Sequence, residues 1–297
     1  MQQLVARHAH SPVVKGNVVR RRLRIPSTVP LPPYIYNGKA PPAYEAPLAL
    51  YKANSPELQA LRKACAIAAE GRDFAAALVK PGVTTEEIDV KLSEFFLYKK
   101  NVYPSPFNYL GFPKSLCTSI NEVMVHGIPD DRVLQNGDLV SLDVSCYSGG
   151  VHGDNCTTVA CGEPDPAAAK LLKDGRSCFE QSLDLCGPGV PVKTIGEFVE
   201  SWCEKHGYGT NRDFVGHGIG PLFHMRPLIY HCRNNEEEVM QPGMVFTVEP
   251  IITEGSAEQA PTWEDKWTVA TKDGGWAVQF EHTILITDNG YEILTKY

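Results

Sequence analysis

The sequence predicts an α+β fold in which two similar halves, each running helices and then strands, share one antiparallel sheet. Three observations predict it. PGVTTEEI from Pro81 is echoed by PGVPVKTI from Pro188, each opening an amphipathic helix. LQNGDLVSLDV from Leu134 is echoed by MQPGMVFTVEP from Met240, and in both copies a Gly leads to an acid on a strand: Gly137 to Asp143, Gly243 to Glu249. The matched segments also come in the same order, which places the boundary between the halves near the Pro-rich EPDPAAA that starts at Glu163.

Taken in chain order, residues 1–53 form an extension ahead of a domain over 54–297. From Met1 to Tyr44 there is no Asp or Glu, while Arg7, Lys15, Arg20, Arg21, Arg22, Arg24 and Lys39 are basic. The prolines that follow Arg24 remove amide donors and favour extended backbone. Residues 1–24 hold no acid and none of the sequence repeats, so they are expected to be dispensable for the domain's function.

Asn54-Ser55-Pro56-Glu57 begins a helix with Pro in its first turn, expected to reach Lys80-Pro81-Gly82. VTTEEIDVKLSEFFLYKKN opens a second, with a Thr cap and acids at the positive helix end. Asp143 lies on an alternating strand, and the turn YSGG folds back a neighbour that carries Asp154. In the second half Glu249 ends the strand MVFTVE, and Glu281 sits in the apolar, β-branched run AVQFEHTILIT.

The bulk composition excludes several classes. With 43% hydrophobic and 21% charged residues the chain is an ordinary globular protein, and a net charge of -7 argues against direct nucleic-acid binding through phosphates. No apolar run reaches the roughly 20 residues that span a bilayer, so no membrane partner is expected. Nine cysteines without a Cys-x-x-Cys pair fit a reducing compartment. The cytoplasm is the expected location, with the mitochondrial matrix as the alternative because the start is Arg-rich and acid-free. A monomer is expected.

Four carboxylates on core-like strands would repel one another until some took up protons. Two divalent cations would cancel that charge. Oxygen-rich ligation with one imidazole suits Co, Mn, Fe or Zn rather than a Cys-rich structural site. In FVGHGIGPLFH, His217 is the natural nitrogen ligand and His224 an imidazole that either supports the ligands from behind or faces substrate; His126, in VMVHGIPD, repeats the His-Gly-Ile of His217 and is expected in the same cavity from the other half.

NEVMVHGIPDD, LDVSCYSGGVHGD, GHGIGPLFH, FTVEPII and FEHTILIT together resemble a type I methionine aminopeptidase of family M24, over essentially Asn54 to Tyr297. The short interval between Glu249 and Glu281 leaves no room for the insertion of type II enzymes. The resemblance implies the pita-bread fold and a centre of two divalent metal ions held by Asp143, Asp154, His217, Glu249 and Glu281, with Asp154 and Glu281 bridging. It implies removal of the initiator methionine from nascent proteins whose second residue is small, by metal-activated hydroxide attacking the first peptide bond. Glu249 then handles the water proton, His224 donates to the carbonyl oxygen, and His126 moves a proton or holds the next peptide nitrogen.

By the same resemblance Tyr109, Phe112, Cys117, Phe223 and Trp267 form the methionine pocket. The implied partners are N-terminal Met peptides and nascent polypeptides, with the ribosome a further candidate. Two features depart from the family: no Cys-rich zinc segment precedes Arg20, and Val125 stands before His126 where many relatives have Cys. Met1-Gln2 itself, with a long second side chain, is expected to be a poor substrate. His282 should point away from Glu281, and His152 is read as structural. A Cys117–His126 thiol pair lacks an orienting third group. A proline-specific relative and a metal-free binding module are the competing readings.

Overall fold

The computed structural model describes residues 12–296, so Met1-Gln2, Arg7 and the rest of residues 1–11 lie outside the described residues. Helices α1 (Pro56–Ala76) and α2 (Thr85–Glu94) belong to the first half, α3 (Pro166–Leu183) and α4 (Lys193–His206) to the second. The local signals act as the sequence predicts. Ser55 caps α1 by accepting from the Leu58 amide at 3.2 Å, and Thr84 with Glu87 closes a reciprocal capping box on α2. Asp165, at the expected boundary, caps α3 by accepting from the Ala168 amide at 2.8 Å.

Two helix ends differ from expectation. α1 stops at Ala76 rather than near Lys80, because Leu78 and Val79 tighten into three-residue turns ahead of Pro81. α2 does not run on evenly: Phe95–Lys100 continues as wider π-type turns. Phe96 is pinned over Gly71 of α1, where a Cβ would meet its ring at 2.3 Å, while Phe95 stacks on Phe74 with ring centroids 4.7 Å apart. The two consecutive aromatics are thus seated where the helix widens, both against α1.

The main sheet contains β1 (Tyr103–Pro104), β2 (Cys117–Ile120), β3 (Leu139–Ser148), β4 (Val151–Ala160), β5 (Gly216–Gly218), β6 (Met225–Ile229), β7 (Val245–Val248), β8 (Glu281–Thr287) and β9 (Gly290–Ile293). Its order is β1-β3-β4-β8-β7-β5-β6, with β2 also on β3 and β9 also on β8, and all its pairs are antiparallel. The halves therefore meet where β4 lies beside β8. The run expected to hold Glu281 is broken at Phe280: Ala277–Gln279 pairs with Ile251–Thr253 in a small separate sheet, and Glu281 then opens β8 in the main one.

The helices cover one face of the sheet. Ile67, Ala68, Ile88 and Leu92 pack on Val140, Leu142 and Val144 in the first half; Leu171, Phe179, Ile195 and Val199 pack on Phe246, Val248 and Ile284 in the second. Each fully buried Leu, Ile or Phe among them contributes about 1.5–3 kcal/mol. Because strand side chains alternate, the burial of Leu142 and Val144 against helices sends Asp143 and Ser145 to the opposite face. Gly153 brings α1 down onto the hairpin beside Asp154, since a Cβ there would lie 2.5 Å from the Cys65 nitrogen.

The described part of the extension runs along the domain. The Gly16 amide donates to Asp130 at 2.7 Å, buried Lys114 donates to the Val19 carbonyl at 2.9 Å and pairs with Glu86, and Tyr34 donates to the Ser105 carbonyl at 2.6 Å. Val18 packs on the cluster of Phe112, Cys117 and Ile128.

Candidate metal centre

Opposite the helices, the sheet forms the floor of a cavity of about 550 Å³. The hairpin register sets Asp154 across from Ser145, and sets Cys156 across from both Asp143 and Glu281, so β3, β4 and β8 deliver three carboxylates side by side. β5 and the end of β7 deliver His217 and Glu249 from the second half. All five expected ligands line this one cavity.

Ligand atoms of Asp154, His217 and Glu281 lie within 4.8 Å of one another. His217 Nε2 stands 3.7 Å from Asp154 Oδ2 and 3.7 Å from Glu249 Oε1. Asp143 lines the same cavity outside that tightest group and accepts from the Cys117 thiol. Asp154 Oδ1 and Glu281 Oε1 are buried with no hydrogen-bond partner. A buried carboxylate oxygen without a donor is costly, and a cation removes the cost. The donor set of four carboxylates and one imidazole thus fits divalent metal.

The electrostatics agree. Burial pushes Asp143 up to about 6, and burial together with the Asp143 charge pushes Glu249 up to about 8. Asp154 and Glu281 are driven well above the usual carboxylate range by burial and then by the neighbouring acids. Without a cation Asp154, Glu249 and Glu281 hold protons near neutrality while Asp143 is mostly ionised, and ligation has to displace the protons. Burial lowers His217 to about 4, so its imidazole is neutral. Its Nδ1 lies 3.1 Å from the Gly218 carbonyl and donates there, which leaves the Nε2 lone pair facing the carboxylates.

His224 lies with its ring centroid 4.2 Å from that of His217. Its Nδ1 is 2.7 Å from the Tyr109 hydroxyl. When that hydroxyl donates, Nε2 carries the proton and is free to donate in its turn. His126 meets Phe214 and Trp267 edge-on at 5.2 and 5.9 Å. Tyr109, Phe112, Cys117, Phe223 and Trp267 all line the cavity, with Phe112 against Trp267 at 5.1 Å and Tyr109 against Phe223 at 5.0 Å. Val125 contributes to the same wall. His282 bonds Thr295 at 2.8 Å on the other face of its strand from Glu281, while His152 bonds Ser105 at 2.8 Å and stacks on Phe223 with ring centroids 5.0 Å apart, behind the cavity wall.

Several neighbours were not apparent from the sequence. The Thr247 hydroxyl accepts from the His217 amide at 3.0 Å and donates to Glu249 Oε1 at 2.7 Å, and Gln279 Nε2 donates to Glu249 Oε2 at 3.3 Å. Ala40–Ala43 of the extension also line the cavity. Thr247 could have been found by period-2 alternation, since it shares a strand face with Glu249. For the extension the sequence holds no such signal.

The profile of metallopeptidase family M24 matches residues 59–288. The chain is 46% identical over 287 residues to methionine aminopeptidase 1B, chloroplastic, of Arabidopsis thaliana, covering 96% of this chain and 76% of that one. It is 41% identical over 288 residues to methionine aminopeptidase 1D, mitochondrial, of Dictyostelium discoideum, covering 96% and 70%. Among solved structures, the methionine aminopeptidase of Rickettsia prowazekii superposes with a TM-score of 0.81 at 37% identity, over 84% of this chain and 100% of that one. Prolidase from Pyrococcus furiosus, at 24% identity and a TM-score of 0.65, shares the pita-bread fold. The chain belongs to metallopeptidase family M24, on its methionine aminopeptidase branch.

Proposed function

We propose that this protein removes an N-terminal methionine from peptides and nascent chains whose second residue is small. One observation supports it above the others: partnerless buried oxygens on Asp154 and Glu281 meet the His217 lone pair on the floor of a cavity walled by Phe112, Cys117, Phe223 and Trp267. The floor suits cations, and the wall suits a thioether side chain. In this reading Asp143, Asp154, His217, Glu249 and Glu281 would hold two divalent ions from among Co, Mn, Fe and Zn. Such ions, when bound, polarise a carbonyl and lower the pKa of water.

The remaining steps belong to the chain's own side chains. The apolar wall takes the methionine side chain and excludes water from it. Glu249, oriented by Thr247 and Gln279, accepts the water proton at its carboxylate. His224 Nε2 donates to the scissile carbonyl oxygen as charge builds there, with Tyr109 fixing its tautomer. His126 holds the following peptide nitrogen or passes a proton to it. Residues 54–297 form the catalytic unit, and residues 12–53 lie along it. The organelle-type names of the relatives and the acid-free basic start favour an organelle over the cytoplasm.

The test is turnover of Met-Ala-Ser against Met-Lys-Ser, with released methionine quantified by mass spectrometry. The alanine peptide is expected to be cleaved roughly 100-fold more efficiently, the order that pocket sterics supply. Equal cleavage of both would overturn the small-second-residue reading.

A further inference from the structure

A buried imidazole outside the cavity ties two parts of the site together. His231, two residues beyond β6, is 2% exposed and does not line the cavity. Its Nε2 accepts the Glu249 amide at 3.0 Å, and its other ring nitrogen donates to the Phe214 carbonyl. The Thr210 hydroxyl donates to the His231 carbonyl at 3.3 Å and anchors its backbone.

The local chain explains why an imidazole is needed there. β7 ends at Val248, Pro250 has no amide, and the chain resumes at Ile251–Thr253 in the other sheet. Glu249 thus sits at a crossover between sheets, where no strand offers its amide a carbonyl. Asp143, its counterpart in the first half, lies inside a ten-residue strand with Cys117 and Cys156 opposite on either side. The sheet holds the first acid in place, and a side chain must do so for the second. Phe214, at the other end of the bridge, forms the wall against which His126 rests.

We propose that His231 is a positioning residue: its neutral ring accepts the Glu249 amide and donates to the Phe214 carbonyl, fixing the Glu249 carboxylate relative to His217 and the His126 wall. The proposal rests on the reading of Glu249 as a ligand and proton acceptor. Partners of this kind govern affinity and rate without touching substrate.

Two substitutions divide the ring's functions. The amide of His231→Asn stands where the Nδ1 donor stood and keeps the Phe214 bond, but nothing replaces the Nε2 acceptor. The side-chain oxygen of His231→Gln reaches the Nε2 position and can accept the Glu249 amide. Mn(II) affinity by calorimetry, with kcat and KM on Met-Ala-Ser, is expected to show His231→Asn losing about 10–100-fold in affinity or kcat with KM little changed. His231→Gln should lie nearer the unmodified enzyme. In the unmodified protein, 15N labelling should reveal a scalar coupling across the hydrogen bond between the Glu249 amide and His231 Nε2, a readout that needs no variant to fold. Absence of that coupling, or a folded His231→Asn enzyme with unmodified affinity and kcat, would overturn the proposal alone. Failure of the unmodified enzyme to bind Mn(II) would overturn the reading of Glu249 and this proposal with it.

Discussion

Asp154→Ala is expected to reduce methionine release to background and to abolish the thermal shift that divalent metal confers on the unmodified enzyme. Asp154 lies at the centre of the acid cluster, with one oxygen 3.7 Å from His217 Nε2 and the other buried without a donor. On the proposed reading its loss removes a shared ligand and so weakens the whole centre. The metal-free variant is expected to be no less stable than the metal-free parent, because a carboxyl driven up by burial and by its acidic neighbours has been deleted. Elemental analysis and melting curves with and without Mn(II) check both parts. Metal content equal to that of the parent would show that Asp154 is not a ligand.

His224→Ala is expected to give the opposite pattern. Metal content should stay near that of the parent while kcat falls on the order of 10²- to 10³-fold, as for a lost donor to a developing oxyanion. The proposed roles rest on the 2.7 Å contact between His224 Nδ1 and the Tyr109 hydroxyl: with the hydroxyl donating, the other ring nitrogen carries a proton and acts as a donor rather than a ligand. Elemental analysis alongside steady-state kinetics decides it. Loss of metal comparable to that of Asp154→Ala would place His224 among the ligands instead.

Much of this arrangement was legible because it follows from local rules. Caps at Ser55 and Thr84 start helices where the sequence indicates, and period-2 alternation puts Asp143 opposite the helix-covered face. The repeat at Pro81 and Pro188 anticipates two halves that each pair helices with strands. What was not legible depends on contacts between distant segments. Phe96, in the π-type turn at Phe95–Lys100, lies over Gly71 of another helix, a contact that neither segment announces alone. The break at Phe280 depends on where Ile251–Thr253 is placed. His231 belongs to no motif, since its ring is bonded to Glu249 eighteen residues away through a backbone amide that any residue carries. Proline content anticipates extended backbone up to Pro42, but not the single 3-10 turns at Pro33–Tyr36 and Ala43–Glu45 or the cavity that residues 40–43 border.

The most direct measurement of the central claim is hydrolysis of Met-Ala-Ser and of an Ala-Pro peptide by enzyme stripped of metal and then restored with Mn(II). The account predicts no cleavage of either peptide by the stripped enzyme, and after restoration release of methionine from Met-Ala-Ser with the Ala-Pro bond left intact. Methionine release undiminished in the stripped enzyme, or preferential cleavage of the Ala-Pro peptide after restoration, would contradict it.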